Sequence, residues 1–597
     1  MLHSAAFALG TFEQKTFLLP HNPVHTQLLE QTMWRTHRHN PALMQDGHVQ
    51  VTGFYGESMN RASLGRYFGI GNGKNSFQVG AGNDNDTDLD GGYLIHDQAN
   101  AAASTLAGKV TLNPRQTIYG ANISYRQSMT GPFAGVFFQA SMPIVQVANN
   151  LGLTIENPTD VVLGIQHYSL ADYFAGTVNV EAGANAQAPL NKGKMVMGER
   201  RATGLADISL QLGYKLICNE DTHLDVSLRG IVPTGNQSTG DYLFEPLVGN
   251  NNHFGIGAGI DADATLWHKD GHRLSLQGGA QYTYVLEANE MRMAAIQRRT
   301  DDGFKYNQYV AVAAPGAPLD LAKQPVLAPA ANGLAQQFSV RPGSQLELLT
   351  GLGFHSGGLS VNVGYNLNWR EQEQVYRKAK DAFAENYVVV GRGATLNARV
   401  PAAAPAPFVG VVNATQAGTL FTAAIDTNGA TIALAQPAAI LAGVAADGIG
   451  IGTNAGAGRL AGAQLAAYQG GAQLFAATGF DSLQAADAVA AAAANAAITA
   501  AGADPLVAVP GAAGAVAVAT AARNQIQSLQ RANVSYTDSI RQESMITHVL
   551  GGSIGYSFEA QPGFPVMLGL GGQYELPHST NAGLESYKLF CKLGISF

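Results

Sequence analysis

Charge is scarce in this chain. Only 13% of its 597 residues are Asp, Glu, Lys or Arg, against roughly a quarter in ordinary soluble domains. Long apolar runs are missing as well, and mean hydropathy is +0.01. A helical membrane protein would read far more apolar. The nearest helical span, 485–503, is mostly alanine and carries Asp487 and Asn495. Alanine is too weakly apolar to cross a membrane alone. Basic clusters are absent and the net charge is −8, which argues against nucleic acid as a partner. Cysteine is down to Cys218 and Cys591. Both fall in or beside predicted strands far apart in chain order, which speaks against a disulfide framework or a zinc site. The opening MLHSAAFALGTFEQKTF lacks a basic n-region and a full-length apolar h-region. An export signal is therefore expected to have been removed before this numbering, or the start is incomplete.

Glycine, by contrast, is plentiful, at 70 residues. Much of the chain alternates apolar and polar residues with a period of two, the signature of strands with one face in each medium. In 206–216, Ala206, Ile208, Leu210, Leu212, Tyr214 and Leu216 share one face. Asp207, Ser209, Gln211, Gly213 and Lys215 share the other. The pattern predicts twelve strands, near 48–56, 114–128, 133–146, 204–217, 223–234, 253–268, 272–288, 344–356, 358–371, 546–559, 564–577 and 586–597. The fold class is all-β, an antiparallel transmembrane β-barrel, with 14 or 16 strands if the long links hide more.

The links alternate in length. Short turns fall near 129–132, 218–222, 269–271, 357 and 560–563. Longer links fall near 57–113, 147–203, 235–252, 289–343, 372–545 and 578–585. Short periplasmic turns and long extracellular loops are the habit of outer-membrane barrels, so both chain ends are expected in the periplasm. Lipid-face aromatics gather at two levels. Tyr55, Phe254, Tyr284, Trp369 and Tyr574 lie toward the loops. Tyr125, Tyr214, Phe354, Phe558, Phe564 and Phe597 lie toward the turns. Two such girdles mark the membrane interfaces.

The last strand, SYKLFCKLGISF, resembles the C-terminal assembly signal of Gram-negative outer-membrane β-barrel porins. Phe597 ends it, with Ile595, Leu593, Cys591 and Leu589 at every second position and Tyr587 above them. The resemblance implies recognition by the outer-membrane insertion machinery, and by porin analogy a homotrimer. It identifies no subfamily.

Strand phase sets the inward face. Its acids are Asp207, Asp225, Asp261, Asp263, Glu287, Glu347, Glu559 and Glu575. Its bases are Arg126, Lys215, Arg229, Arg273, Arg370, Lys588 and Lys592. The near balance gives no strong ion preference. Inward glycines, among them Gly213 and Gly571, are expected to leave room for water. Twelve strands lie between filled small barrels and open porins, so either a narrow pore or a plugged barrel is expected. The narrowing segment is expected to be 147–202 or the N-terminal 1–47, the latter as a periplasmic segment or plug. The histidines His21, His25, His37 and His39 of 1–47 read as a solvated tail.

The first long loop holds GNDNDTDLDGGYLIHD. Asp86, Asp88, Asp90 and Asp97 take positions 1, 3, 5 and 12 of an EF-hand-like loop, Gly91 the turn and Gly92 a backbone carbonyl. Calcium wants six to eight oxygens, and acids at alternate positions converge where glycine permits the turn. A hydrated acidic loop is the alternative, since position 12 is Asp rather than Glu. Residues 372–545 form an Ala/Gly-rich insert far longer than ordinary loops. Helices are predicted from Asp481 to Ala501 and over 516–532, short strands at 408–412 and 419–425, and a folded cap overall.

The function expected is a channel for passive diffusion of small polar solutes, partnered by outer-membrane lipid and lipopolysaccharide. A substrate-specific channel and a structural, lattice-forming barrel are the alternatives. No catalytic residue stands out. His548 is the one lipid-phase strand histidine, and no serine lies level with it for a phospholipase pair.

Overall fold

A computed structural model of the chain describes residues 15–16, 47–59, 61–68, 74–80, 89–91, 94–95, 106–163, 166–180, 187–219, 221–297, 306–313, 327–377, 388–390, 529–531, 534–535, 539–561, 564–578 and 585–597. Twelve strands close into an antiparallel barrel. They are β1 (Gly47–Ser58), β2 (Arg115–Ser128), β3 (Val136–Asn150), β4 (Glu199–Leu205 and Ile208–Cys218), β5 (Thr222–Val232) and β6 (Gly255–Lys269). The second half holds β7 (His272–Val285), β8 (Gly343–Ser356), β9 (Leu359–Arg370), β10 (Met545–Gln561), β11 (Phe564–Pro577) and β12 (Ser586–Ser596). Each pairs with its chain neighbours, and β1 pairs with β12 from His48–Ser596 to Ser58–Ser586. All twelve expected strands are present. Those in the long links form separate small sheets, so the barrel count stays at twelve.

The alternation explains the wall. Leu228, Leu570, Ile256, Val363 and Leu589 point outward and are more than half exposed in the isolated chain. Their alternating neighbours point inward and are polar, small or charged, apart from the buried aromatic Phe590 beside Leu589. This is the architecture of outer-membrane barrels, which leave no edge and satisfy every ladder hydrogen bond within the wall. The turns are local chemistry. Asp270 and Gly271 both have positive φ, 52° and 79°, the two-residue hairpin that an Asp-Gly pair favours. Cys218 and Cys591 are free and exposed.

The long links at the other rim build a second body. Its core gathers Leu64, Tyr67, Phe77, Tyr173, Phe174, Tyr309 and Phe338 from three different loops. Phe174 meets Tyr309 edge-on, with ring centroids 5.3 Å apart. Such pairs add about 0.5–1.5 kcal/mol beyond burial. Small sheets stitch the loops together: Ala335–Arg341 pairs with Ala288–Met293 on one side and Gln374–Arg377 on the other. The ends of the insert join this body. Val388–Val390 pairs with 312–313 and with Leu529–Arg531. The second predicted helix, 516–532, is thereby corrected at its end, where β-bridging to another loop outweighs helix propensity. The helix from Asp481 and the strands at 408–412 and 419–425 lie outside the described residues.

Two residues of the N-terminal segment are described, and they sit at the loop end. The Lys15 amide donates to the Tyr67 carbonyl and the Thr16 amide to that of Ser539, each at 2.8 Å. Lys15 Nζ lies 3.2 Å from Glu543. These two residues of the expected N-terminal segment or plug lie against the loop body. The four histidines named in that segment lie outside the described residues.

Candidate functional site

The inner wall is polar over most of its height. Gln50, Thr52, Asn122, Gln139, Asn362 and Asn366 are inward and buried. Near the turn end, Arg126 Nη2 donates to Asp225 Oδ2 at 2.5 Å. His223 Nε2 lies 2.8 Å from the same oxygen. The Arg126 guanidinium stacks 3.6 Å above the Phe137 ring. Arg273 reaches Asp263 at 3.3 Å. Along β12, Lys588 lies over Phe54 at 5.0 Å and Lys592 over Phe590 at 5.1 Å. Lys215, Asp261 and Glu575 are half-buried in the same wall. Glu559 is in strand register with Pro565, and its side chain lies outside the described residues. His223 was legible and overlooked: it shares the phase of Asp225.

Higher in the lumen, Arg229, Glu347 and Arg370 line one cavity with Gln281, Thr283 and Asn368. Arg229 Nε donates to Ser209 Oγ at 3.0 Å. Arg370 Nη2 donates to Gln542 Oε1 at 2.5 Å.

Four expectations about the lumen are corrected. A Cβ on Gly213 would fall 2.2 Å from the Phe137 ring, and one on Gly571 2.3 Å from the Phe590 ring. These glycines seat aromatic rings and leave no space for water. The loop folded into the lumen is 233–254, not 147–202. Its Val248 packs with Val145, Val147 and Ala206 on the inner wall, and Asn149 Nδ2 donates to the Glu245 carbonyl at 3.0 Å. Residues of 151–195 belong instead to the loop core. Asp207 is buried where β4 breaks, with Gly249 against its carboxylate, so it anchors that loop rather than facing an open pore. Glu287 lies past the end of β7, exposed, and accepts from Ser339 Oγ. The alternation runs on past Val285, but the chain leaves the barrel there for a loop sheet.

At the loop end a buried ionic network joins three loops. Arg292 is fully buried. Its Nε donates to Glu290 Oε2 at 2.8 Å, and its Nη1 to Glu373 Oε2 at 2.6 Å and to the Ile540 carbonyl at 2.8 Å. His253 joins Glu290 Oε1 through Nε2 at 2.5 Å and the Leu286 carbonyl through Nδ1 at 2.7 Å. Burial opposes charge on His253, but the hydrogen bond and charge of Glu290 outweigh it and raise the imidazole pKa. Burial likewise opposes the Glu290 carboxylate, yet Arg292 and His253 hold it well below the usual range. No periodic pattern in the sequence pointed to this network.

Of the calcium-type loop, Asp86, Asp88, Gly92 and Asp97 lie outside the described residues. The backbone of Asp90 pairs with Gly80 in a short parallel bridge. Among the described residues, no group of three or more His, Cys, Asp or Glu is placed to hold a metal. On the lipid face, His548 Nδ1 and the Tyr365 hydroxyl share a 2.8 Å hydrogen bond.

No family model and no curated protein matches the chain. Solved structures do. An outer-membrane channel from Pseudomonas putida F1 is 9% identical, with a TM-score of 0.32 over 94% of this chain and 99% of that one. The β-domain of a Bordetella autotransporter is 7% identical, with a TM-score of 0.27 over 93% of this chain and 99% of the other. A FadL homologue of Pseudomonas aeruginosa is 7% identical, with a TM-score of 0.25 over 94% and 92%. These scores carry no residue-level correspondence, and the fold rests on the closed pairing of the twelve strands.

Proposed function

We propose that the chain is an outer-membrane channel for passive diffusion of small polar solutes. One observation carries this: the inner wall holds many buried polar and charged side chains beside one apolar cluster, while the outer face is apolar. A barrel that served only as a membrane anchor could fill with apolar side chains at lower cost, because each buried polar group must find a partner. Planar-bilayer recording on the full chain tests it. Discrete single-channel steps are expected; a silent barrel, correctly assembled, rejects the channel.

A structural barrel is the second reading, favoured by the loop body having a core of its own. Deleting 391–528 separates the two. Intact conductance with lost oligomers assigns the insert to architecture. The homotrimer, the lipopolysaccharide contact and both ends in the periplasm belong to the proposal as well, with crosslinked mass as the check on the first. Calcium at Asp86, Asp88, Asp90, Gly92 and Asp97 is likewise proposed. Saturable ⁴⁵Ca²⁺ binding that Asp86→Asn with Asp88→Asn removes is the expected result.

A further inference from the structure

The cavity below the loop body has a donor set that the wall does not satisfy. It opens to solvent on one side and is lined mostly by polar and charged side chains. Arg229 is 7% exposed. Its Nε is spent on Ser209, and among the described residues its two terminal nitrogens find no hydrogen-bond acceptor. Arg370 Nε is buried without a partner. Glu347 is the carboxylate on the same lining. The lining itself carries two guanidiniums and one carboxylate. On the wall between their strands and directly paired with Glu347, Gln281 is 4% exposed and its Oε1 is buried without a donor.

We propose that this cavity is a solute site for small hydroxy-monocarboxylates. A guanidinium edge presents paired donors that match the two oxygens of a carboxylate. Gln281 Oε1 is the acceptor for the solute's hydroxyl proton. Buried polar groups left unpaired in the empty site make the discrimination steep, because a neutral or cationic solute cannot satisfy them. Glu347 limits the affinity by repelling the anion, and it rejects dianions. The site rests on the channel reading for its physiological use, but binding there can be measured without flux.

The test is calorimetric titration of the detergent-solubilised full chain with sodium lactate, with lactamide and ethanolamine hydrochloride as neutral and cationic probes. Saturable lactate binding is expected, with the other two at least tenfold weaker. Arg229→Gln should weaken lactate at least tenfold, and Arg229→Lys by less, since it keeps the charge and loses the fork. Glu347→Gln should strengthen lactate several-fold. A role in wall structure alone would not produce that sign. Lys109→Gln, at an exposed loop ion pair, should change nothing. If Arg229→Gln fails to assemble, as judged by heat-modifiable migration, Arg229→Lys and Glu347→Gln carry the test. Equal binding of lactamide, or no response to Glu347→Gln, overturns the site. Lactate flux into liposomes without saturable binding overturns the site and leaves the channel. Binding without flux keeps the site and overturns the channel.

Discussion

The barrel wall and the loop body obey different physics within one chain. The wall is specified by a period of two and by solvents on each side, and its hydrogen bonds close on themselves around the ring. The loop body has neither aid. It is held by a mixed aromatic and aliphatic core and by a few buried charges that must be paired. Its stability is therefore concentrated in particular residues, while that of the wall is spread over every rung.

The sharpest way to break this contrast is Arg292→Met. It leaves Glu290 with His253 alone and Glu373 buried without its guanidinium partner. Removing one partner of a buried ionic network costs about 3–5 kcal/mol. The loops should become protease-sensitive, while the barrel keeps its heat-modifiable migration on gels. Loss of the barrel as well would show that the two regions fold as one unit.

Gly571→Leu probes the wall with a smaller expected effect. The new side chain would compete with the Phe590 ring for the same space, and overpacking costs about 1–3 kcal/mol. The thermal transition of the barrel should fall, with loop proteolysis unchanged. Adding Phe590→Ala should recover much of the loss, as the cavity and the new side chain then offset.

The mildest change is pH. The raised pKa of His253 means that its contribution is complete below its unfolded value of 6.5 and is lost as pH rises through the higher folded value. Glu290 works in the opposite sense. Its contribution is complete above 4.5 and is lost as pH falls toward about 2. The network should therefore hold best between about 4.5 and 6.5. Amide protection factors in 286–293, taken against intrinsic exchange at each pH, should fall at alkaline pH, and His253→Gln should remove that dependence. Unchanged alkaline protection would place the network's strength in Arg292 alone.

The same contrast decides what could be read from sequence. All twelve strands were legible, because alternation between lipid and water leaves a mark in every strand. The boundary errors have one cause. Alternation continues past Val285, and nothing in the residues says that the chain then pairs with 335–341 instead of staying in the wall. Inward phase was legible for Arg126, Asp225, Arg229 and Glu347, but occupancy was not. Gly213 and Gly571 looked like open space, and the rings that fill them stand on strands at their side. The infolded loop was misplaced because 233–254 and 147–202 share one polar, glycine-containing composition. Val248 meeting Val145 and Val147 is a contact between strangers in sequence. Arg292, Glu290, His253 and Glu373 sit in aperiodic loops, where single charged residues carry no signature of burial.

The seam between β1 and β12 has a consequence in time. His48 Nδ1 and Ser596 Oγ lie 3.1 Å apart across 548 residues of chain. The Phe597 amide and carbonyl both bond Gly47, at 2.9 and 2.8 Å. The ring therefore cannot shut until β12 has been delivered. Until then both outer strands present unpaired backbone, which is costly in lipid and prone to wrong partners in water. Non-local closure of this kind is slow, so the long insert between β9 and β10 extends the period in which the nascent chain depends on being held. A truncation of a few residues at Phe597 would then act on yield, through the lifetime of the open sheet, well before it registered in the stability of whatever had closed.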